Sequence, residues 1–250
     1  MAPSVLVARP WHRDVGTPCG ARPEITSFER FTLDEQGLTE GISMIRQDTE
    51  DGTVLANHWW WRPGWGPGTR YLTWHLTFGH APQMNALART YQQALEPFTT
   101  LDLVQPRWLH LTLAGVGHAD QVDPHQLDRT IERVRKTVTP GVMLAFDSVV
   151  VGGEAVALVA QPSLELDQLH NDLVTAITDV LQDAAPCANP HPRFAPHVSL
   201  AYANATQPAA PVRAALGAIT STCAIASPTL SLIELRRDIQ AYEWRTVLDL

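Results

Sequence analysis

Two short apolar runs constrain this chain more than any other feature: Trp108-Leu109-His110-Leu111-Thr112-Leu113 and Phe194-Ala195-Pro196-His197-Val198-Ser199-Leu200. Each carries one histidine and, two positions on, one hydroxyl residue. A β-strand sends successive side chains to opposite faces, so His110 and Thr112 leave one face while Leu111 and Leu113 enter a core. His197 and Ser199 repeat the arrangement over Val198 and Leu200. With the two strands side by side, two imidazoles and two hydroxyls line one groove. Such a groove can hold a phosphate, one imidazole removing a proton while the other supplies one.

The short pattern alone is loose. With 10 histidines and 45% hydrophobic residues, chance supplies about 0.6 occurrences of His, any residue, Ser or Thr, then an apolar residue. The chain has three, since His75-Leu76-Thr77-Phe78 also fits. What singles out the other two is their setting. Both lie in strand-like runs, and both follow a segment that can lead from a loop into a strand, Pro106-Arg107 and Pro192-Arg193.

In these residues the chain resembles the two-histidine (2H) phosphoesterase superfamily, which includes the 2'-5' RNA ligase-like proteins and the cyclic nucleotide phosphodiesterases. The resemblance covers roughly Trp59 to Leu250, and Phe194 to Leu200 carries it most closely. It implies that His110 and His197 are the catalytic histidines and that Thr112 and Ser199 hold phosphate oxygens. Serine at the second position keeps the hydroxyl and loses a methyl group. The resemblance also implies a bilobal fold with a central cleft.

Patterning along the chain points to the same architecture. Residues 1–57 are weakly patterned and read as an N-terminal extension, partly disordered. His58 to Gly68 is an aromatic loop. Strands are expected at Tyr71 to Phe78, Leu101 to Val104 and Trp108 to Val116, with a hairpin from Val142 to Ala160 turning at Gly152-Gly153. Thr229 to Leu235 and Tyr242 to Leu248 close the chain as two further strands. Helices start at Pro82 and at Asp123-Pro124, cover Leu164 to Leu181, and recur briefly near Val212 to Ile219. Helices and strands alternate twice, each half contributing one signature, and the short connections favour antiparallel pairing. The expectation for residues 58–250 is an α+β fold of two pseudo-symmetric antiparallel sheets, helices outside and a cleft between.

Net charge is −8, which argues against a long nucleic-acid track, since that needs a basic stripe to displace counterions. A nucleotide, a single RNA end or a phosphodiester metabolite needs only a local positive pocket. Cys19, Cys187 and Cys223 are too few and too scattered for a disulfide framework or a zinc site, and no metal site or cofactor is expected. The absence of a leader or a long apolar segment makes the cytoplasm the default location.

Around the signatures, His75 and Thr77 read either as neighbours of substrate or as a polar pair on a half-buried strand. Trp59–Trp61 and Trp65 read either as a base-stacking platform or as a plug packing a loop onto a sheet. Arg107 and Arg193, each ahead of a signature, can clamp phosphate; Arg236 and Arg237 are weaker candidates. Tyr202 and Tyr242 are further candidates for substrate contact. The leading expectation is a metal-independent phosphoesterase acting on a cyclic (2′,3′-type) or 2′-5′ phosphodiester. The alternatives are joining of RNA ends without a nucleotide cofactor, and a non-catalytic nucleotide or RNA-end binder.

Overall fold

The computed structural model describes residues 54–186, 194–226 and 228–250. The N-terminal extension up to residue 53, Cys187 and Arg193 lie outside the described residues. Val54–Leu55 (β1) already belongs to the fold, pairing with Gln207–Pro208 (β8), and Leu55 is buried.

The remaining elements are Tyr71–Thr77 (β2), Pro82–Leu95 (α1), Leu101–Leu103 (β3), His110–His118 (β4), Pro124–Thr137 (α2), Met143–Gly152 (β5), Ala155–Ala160 (β6), Leu164–Leu181 (α3), His197–Ala203 (β7), Ala210–Leu216 (α4), Cys223–Ala226 (β9), Thr229–Arg236 (β10) and Glu243–Asp249 (β11). Local chemistry explains most of these boundaries. Asp123 caps α2 by accepting from the amides of His125 and Gln126, and Pro124 takes the first helical position, where no amide hydrogen is needed. Ser163 caps α3 in the same way through the Leu166 amide. The β5–β6 turn closes with Gly153 at φ 57°, a left-handed conformation that glycine adopts without Cβ strain.

Every ladder among the described residues is antiparallel. One sheet runs β11-β10-β2-β4 and the other β3-β7-β6-β5-β9. Helix α3 lies on β4 and β5 with α2 outside it, while α1 packs on β3, β7, β9 and α4. The buried stripe of α1 is Met84, Leu87, Ala88, Tyr91 and Leu95; that of α3 is Leu166, Leu169, Leu173, Ala176, Ile177 and Leu181. Burying each large apolar side chain contributes roughly 1.5–3 kcal/mol, and these stripes anchor the helices. Among the described residues no helix is long and apolar enough to cross a membrane.

Three differences from the sequence reading bear on the site. The strand around the first signature starts at His110, because Pro106–Trp108 forms a 3₁₀ turn closed by the Trp108 amide on the Gln105 carbonyl. The signature strands are not paired in one sheet: β4 is an edge strand of one and β7 lies inside the other, and the two pack against each other. Strand β9 was not expected at all; its four residues border α1 and pair with β5.

Candidate functional site

In both signatures the imidazole is held by the backbone two residues earlier. His110 Nδ1 lies 2.8 Å from the Trp108 carbonyl oxygen, and His197 Nδ1 lies 2.9 Å from the Ala195 carbonyl oxygen. A carbonyl oxygen only accepts, so Nδ1 must carry the hydrogen in each ring. Nε2 is then the nitrogen left to exchange a proton, in both rings alike. The turn before β4 and the Pro196 approach to β7 set those carbonyls at the Nδ1 edge of each ring.

Electrostatics link the two rings. Burial pushes His110 down to about 4, the Trp108 carbonyl works against that shift, and the charge of His197 lowers it further. Burial also lowers His197, against the Ala195 carbonyl. Both rings are therefore neutral near pH 7, and a proton on either one disfavours a proton on the other.

The hydroxyls differ. Thr112 Oγ1 is 3.2 Å from His75 Nε2. Ser199 is nearly buried beside His197, and its hydroxyl makes no hydrogen bond among the described residues. His75, with Thr77 the ambiguous pair, is 1% exposed and lies flat against His110, ring centroids 4.4 Å apart and planes 5° apart. It therefore supports the first signature from beneath and offers substrate no surface. Thr77 sits opposite His110 in the ladder and is spoken for as well. Ser231 donates to the Asp249 carboxylate at 2.6 Å, so Thr77 donates to Ser231 at 3.1 Å.

Tyr202 and Tyr242 come together farther along. Strict alternation would turn Tyr202 away from His197, but a bulge in the β6–β7 ladder pairs Val156 with Ala201 and the next residue, Ala157, with Ser199. Ala155, Ala157 and Val159 share a face, so their partners Tyr202, Ser199 and His197 share one too. Tyr242 lies 6.3 Å from the His110 ring, edge-on, and Trp244 closes the same side at 5.2 Å. Between the tyrosines sits His58, fully buried and stacked on Tyr202 at 4.3 Å. Its Nδ1 meets Glu154 at 3.0 Å and its Nε2 meets the Tyr242 hydroxyl at 3.0 Å. Glu154, held at about 2 against its own desolvation by His58, Arg62 and Trp60, is ionised and can only accept. The direction of each bond follows: His58 donates to Glu154, and Tyr242 donates to His58.

Three of the four candidate arginines lie among the described residues. Arg237 is buried and donates to the carbonyls of His58 and Trp60. Arg236 pairs with Glu243. Arg107 is exposed and stacks on Trp108 at 4.8 Å. Of the aromatic loop, Trp59 and Trp65 pack inward as a plug would, while Trp60 and Trp61 are 45% and 43% exposed. Sequence reasoning missed His58, Glu154 and His170. Glu154 had a visible signal, as the lone charge between Asp147 and Glu165. His170 of α3 donates to the Leu113 carbonyl of β4 and stacks on Phe194, three residues ahead of His197, so one side chain braces both signatures. Among the described residues no cluster of His, Cys, Asp or Glu is arranged to hold a metal ion.

The family model of the 2'-5' RNA ligase superfamily matches residues 93–238, a span that holds both signatures. The chain belongs to that superfamily. Solved structures agree on the fold of this superfamily member. The Thermus thermophilus protein TT0787 is similar with a TM-score of 0.57 at 14% identity, covering 72% of this chain and 96% of that one. Escherichia coli LigT in its apo form gives 0.54 at 15%, covering 73% and 96%. LigT complexed with 3'-AMP gives 0.51 at 16%, with the same coverage. No curated protein matches the sequence of this superfamily member.

Proposed function

We propose that this chain is a metal-independent phosphoesterase that opens a cyclic (2′,3′-type) or 2′-5′ phosphodiester of a nucleotide or RNA end, with His110 and His197 as paired acid and base. The observation that carries the reading is the shared anchoring of the two rings, each with Nδ1–H fixed on a carbonyl and Nε2 left for proton exchange. In hydrolysis one Nε2 takes a proton from water as its oxygen bonds to phosphorus. The other Nε2–H gives a proton to the ribose oxygen whose bond to phosphorus breaks. Each well-placed group of this kind is typically worth about 10²–10⁴-fold in rate.

Two neutral rings cannot act as an acid–base pair, so the substrate takes part in preparing them. A phosphodiester anion bound between the rings favours one imidazolium, and the pair then holds a single proton. Thr112 and Ser199 donate to the non-bridging oxygens and offset the charge that builds there. Nucleotide-sized substrates fit this reading: the similar LigT structures include complexes with 3'-AMP and NADP+, and the net charge of −8 disfavours a long nucleic-acid track.

The test is turnover of 2′,3′-cyclic nucleotides, RNA carrying 2′,3′-cyclic ends and 2′-5′-linked dinucleotides, with a chelator present throughout. The reading predicts opening of at least one of these. Binding without turnover across the panel overturns it in favour of a capture protein. An added strand with a 5′-hydroxyl end separates hydrolysis from end joining.

A further inference from the structure

We propose that His75 is a positioning residue, which turns the hydroxyl proton of Thr112 toward the phosphate site; this rests on the phosphoesterase reading above. His75 is enclosed on every side. Its ring lies flat on His110, meets Trp244 edge-on at 6.1 Å, and its Nδ1 has no hydrogen-bond partner among the described residues. Among the described residues its one polar contact is Nε2 to Thr112 Oγ1.

Which atom donates in that contact decides what Thr112 can do. If Nε2 were bare, Thr112 would donate to it and have no hydrogen left for a phosphate oxygen. The ring would also bury an orphan N–H at Nδ1. With the hydrogen on Nε2, the ring donates to Thr112 Oγ1, the Thr112 hydroxyl hydrogen is released, and only a lone pair stays unmatched. Orphaned N–H groups are the rarer and costlier fault in protein interiors. A protonated ring would satisfy neither nitrogen better, and burial together with the neighbouring His110 keeps the ring neutral. His75 is thus the Nε2–H tautomer, the reverse of His110 and His197, whose carbonyl partners require Nδ1–H.

The first measurement uses the unaltered protein: two-dimensional ¹⁵N–¹H spectra of the imidazole rings near pH 7. The expected result is Nε2–H for His75 and Nδ1–H for His110 and His197; Nδ1–H at His75 overturns the proposal. The second is a double-mutant cycle read by kcat and KM on a 2′,3′-cyclic nucleotide. His75→Phe keeps the stack and should lower kcat roughly tenfold with KM little changed. His75→Gln, which returns an amide N–H, should recover most of the loss. In a Thr112→Val background His75→Phe should cost nothing further, because its route to the substrate is gone. Additive losses would mean that His75 acts only as packing. Absence of turnover by the wild type would sink the phosphoesterase reading, while the spectra would still decide His75.

Discussion

The two signatures use one backbone device but stand in different surroundings. On β4, an edge strand, His110 is walled by His75, Trp244 and Tyr242, and Thr112 has a ring nitrogen behind it. On β7, only β6 pairs with His197 through Ser199, since the β3 ladder covers Ala201 to Ala203, and Ser199 relies on no side chain among the described residues. Each signature therefore has one backbone ladder, to β2 or to β6, and what differs is the wall of rings that His75, Tyr242 and Trp244 add around His110. The contrast shows that one backbone device, a ring anchored on the carbonyl two residues earlier, can sit in two different side-chain environments.

The largest effects should come from the rings themselves. His110→Ala and His197→Ala are each expected to lower kcat at least 100-fold while circular dichroism reports an intact fold. The double variant should be little slower than the slower single, as for groups that act as a unit. If one alanine variant keeps near-wild-type turnover, the signatures are not partners.

Next is the carboxylate that ties the sheets together through His58. Glu154→Gln removes the charge facing His58 and Arg62 and should lower unfolding free energy by roughly 3 kcal/mol, read as a reduced urea midpoint at an unchanged m-value. Both signatures should weaken together in that variant. Loss of order in one alone, seen by hydrogen exchange, would mean that the sheets are stabilised separately.

Dependence on pH tests whether the rings are coupled. Both are held below 6.5, with His110 at about 4. Accordingly kcat/KM should peak on the acidic side of pH 6.5. Below about pH 4 the base is protonated and the rate falls; toward neutrality the acid loses its proton and the rate falls again. Stability moves in one direction only. His58 and His110 are both depressed to about 4 in the folded state, so their contribution is intact above pH 6.5 and is lost as pH drops from 6.5 toward 4. A thermal midpoint that stays flat between pH 7 and 5 would refute the burial argument.

Smaller effects separate the hydroxyls. Thr112→Val should slow turnover roughly tenfold or more and Ser199→Ala by less, because only Thr112 has its hydrogen directed. Equal losses would remove the asymmetry between the half-sites. The smallest change is expected for Arg107→Ala, less than about twofold in KM, since its guanidinium lies on Trp108 at the surface.

Much of the fold was legible because local signals agreed with it. Helix α3 was expected over Leu164–Leu181 from an unbroken apolar stripe, and α2 from Asp123-Pro124, a cap followed by proline. The signature histidines stood out because they interrupt apolar runs with a repeated pattern. What stayed hidden depended on register. Tyr202 reaches the face of His197 only through a bulge, which no periodicity announces. The pairing of His58 with Glu154 joins residues 96 positions apart. His75 fits the same short pattern as the two signatures, because spacing does not encode burial. Strand β9 has four residues, too short to carry a pattern of its own.

The position of β2 sets a practical limit on how far the protein can be trimmed. Sequence similarity to the superfamily begins at residue 93, yet Tyr71–Thr77 is the strand between β10 and β4. A clone cut to the recognised segment would leave β4 with no ladder on either edge and the inner surface of Leu111 open to water. Expression boundaries for this protein therefore follow from hydrogen-bond geometry: they must begin ahead of Val54, well outside the stretch that homology would select.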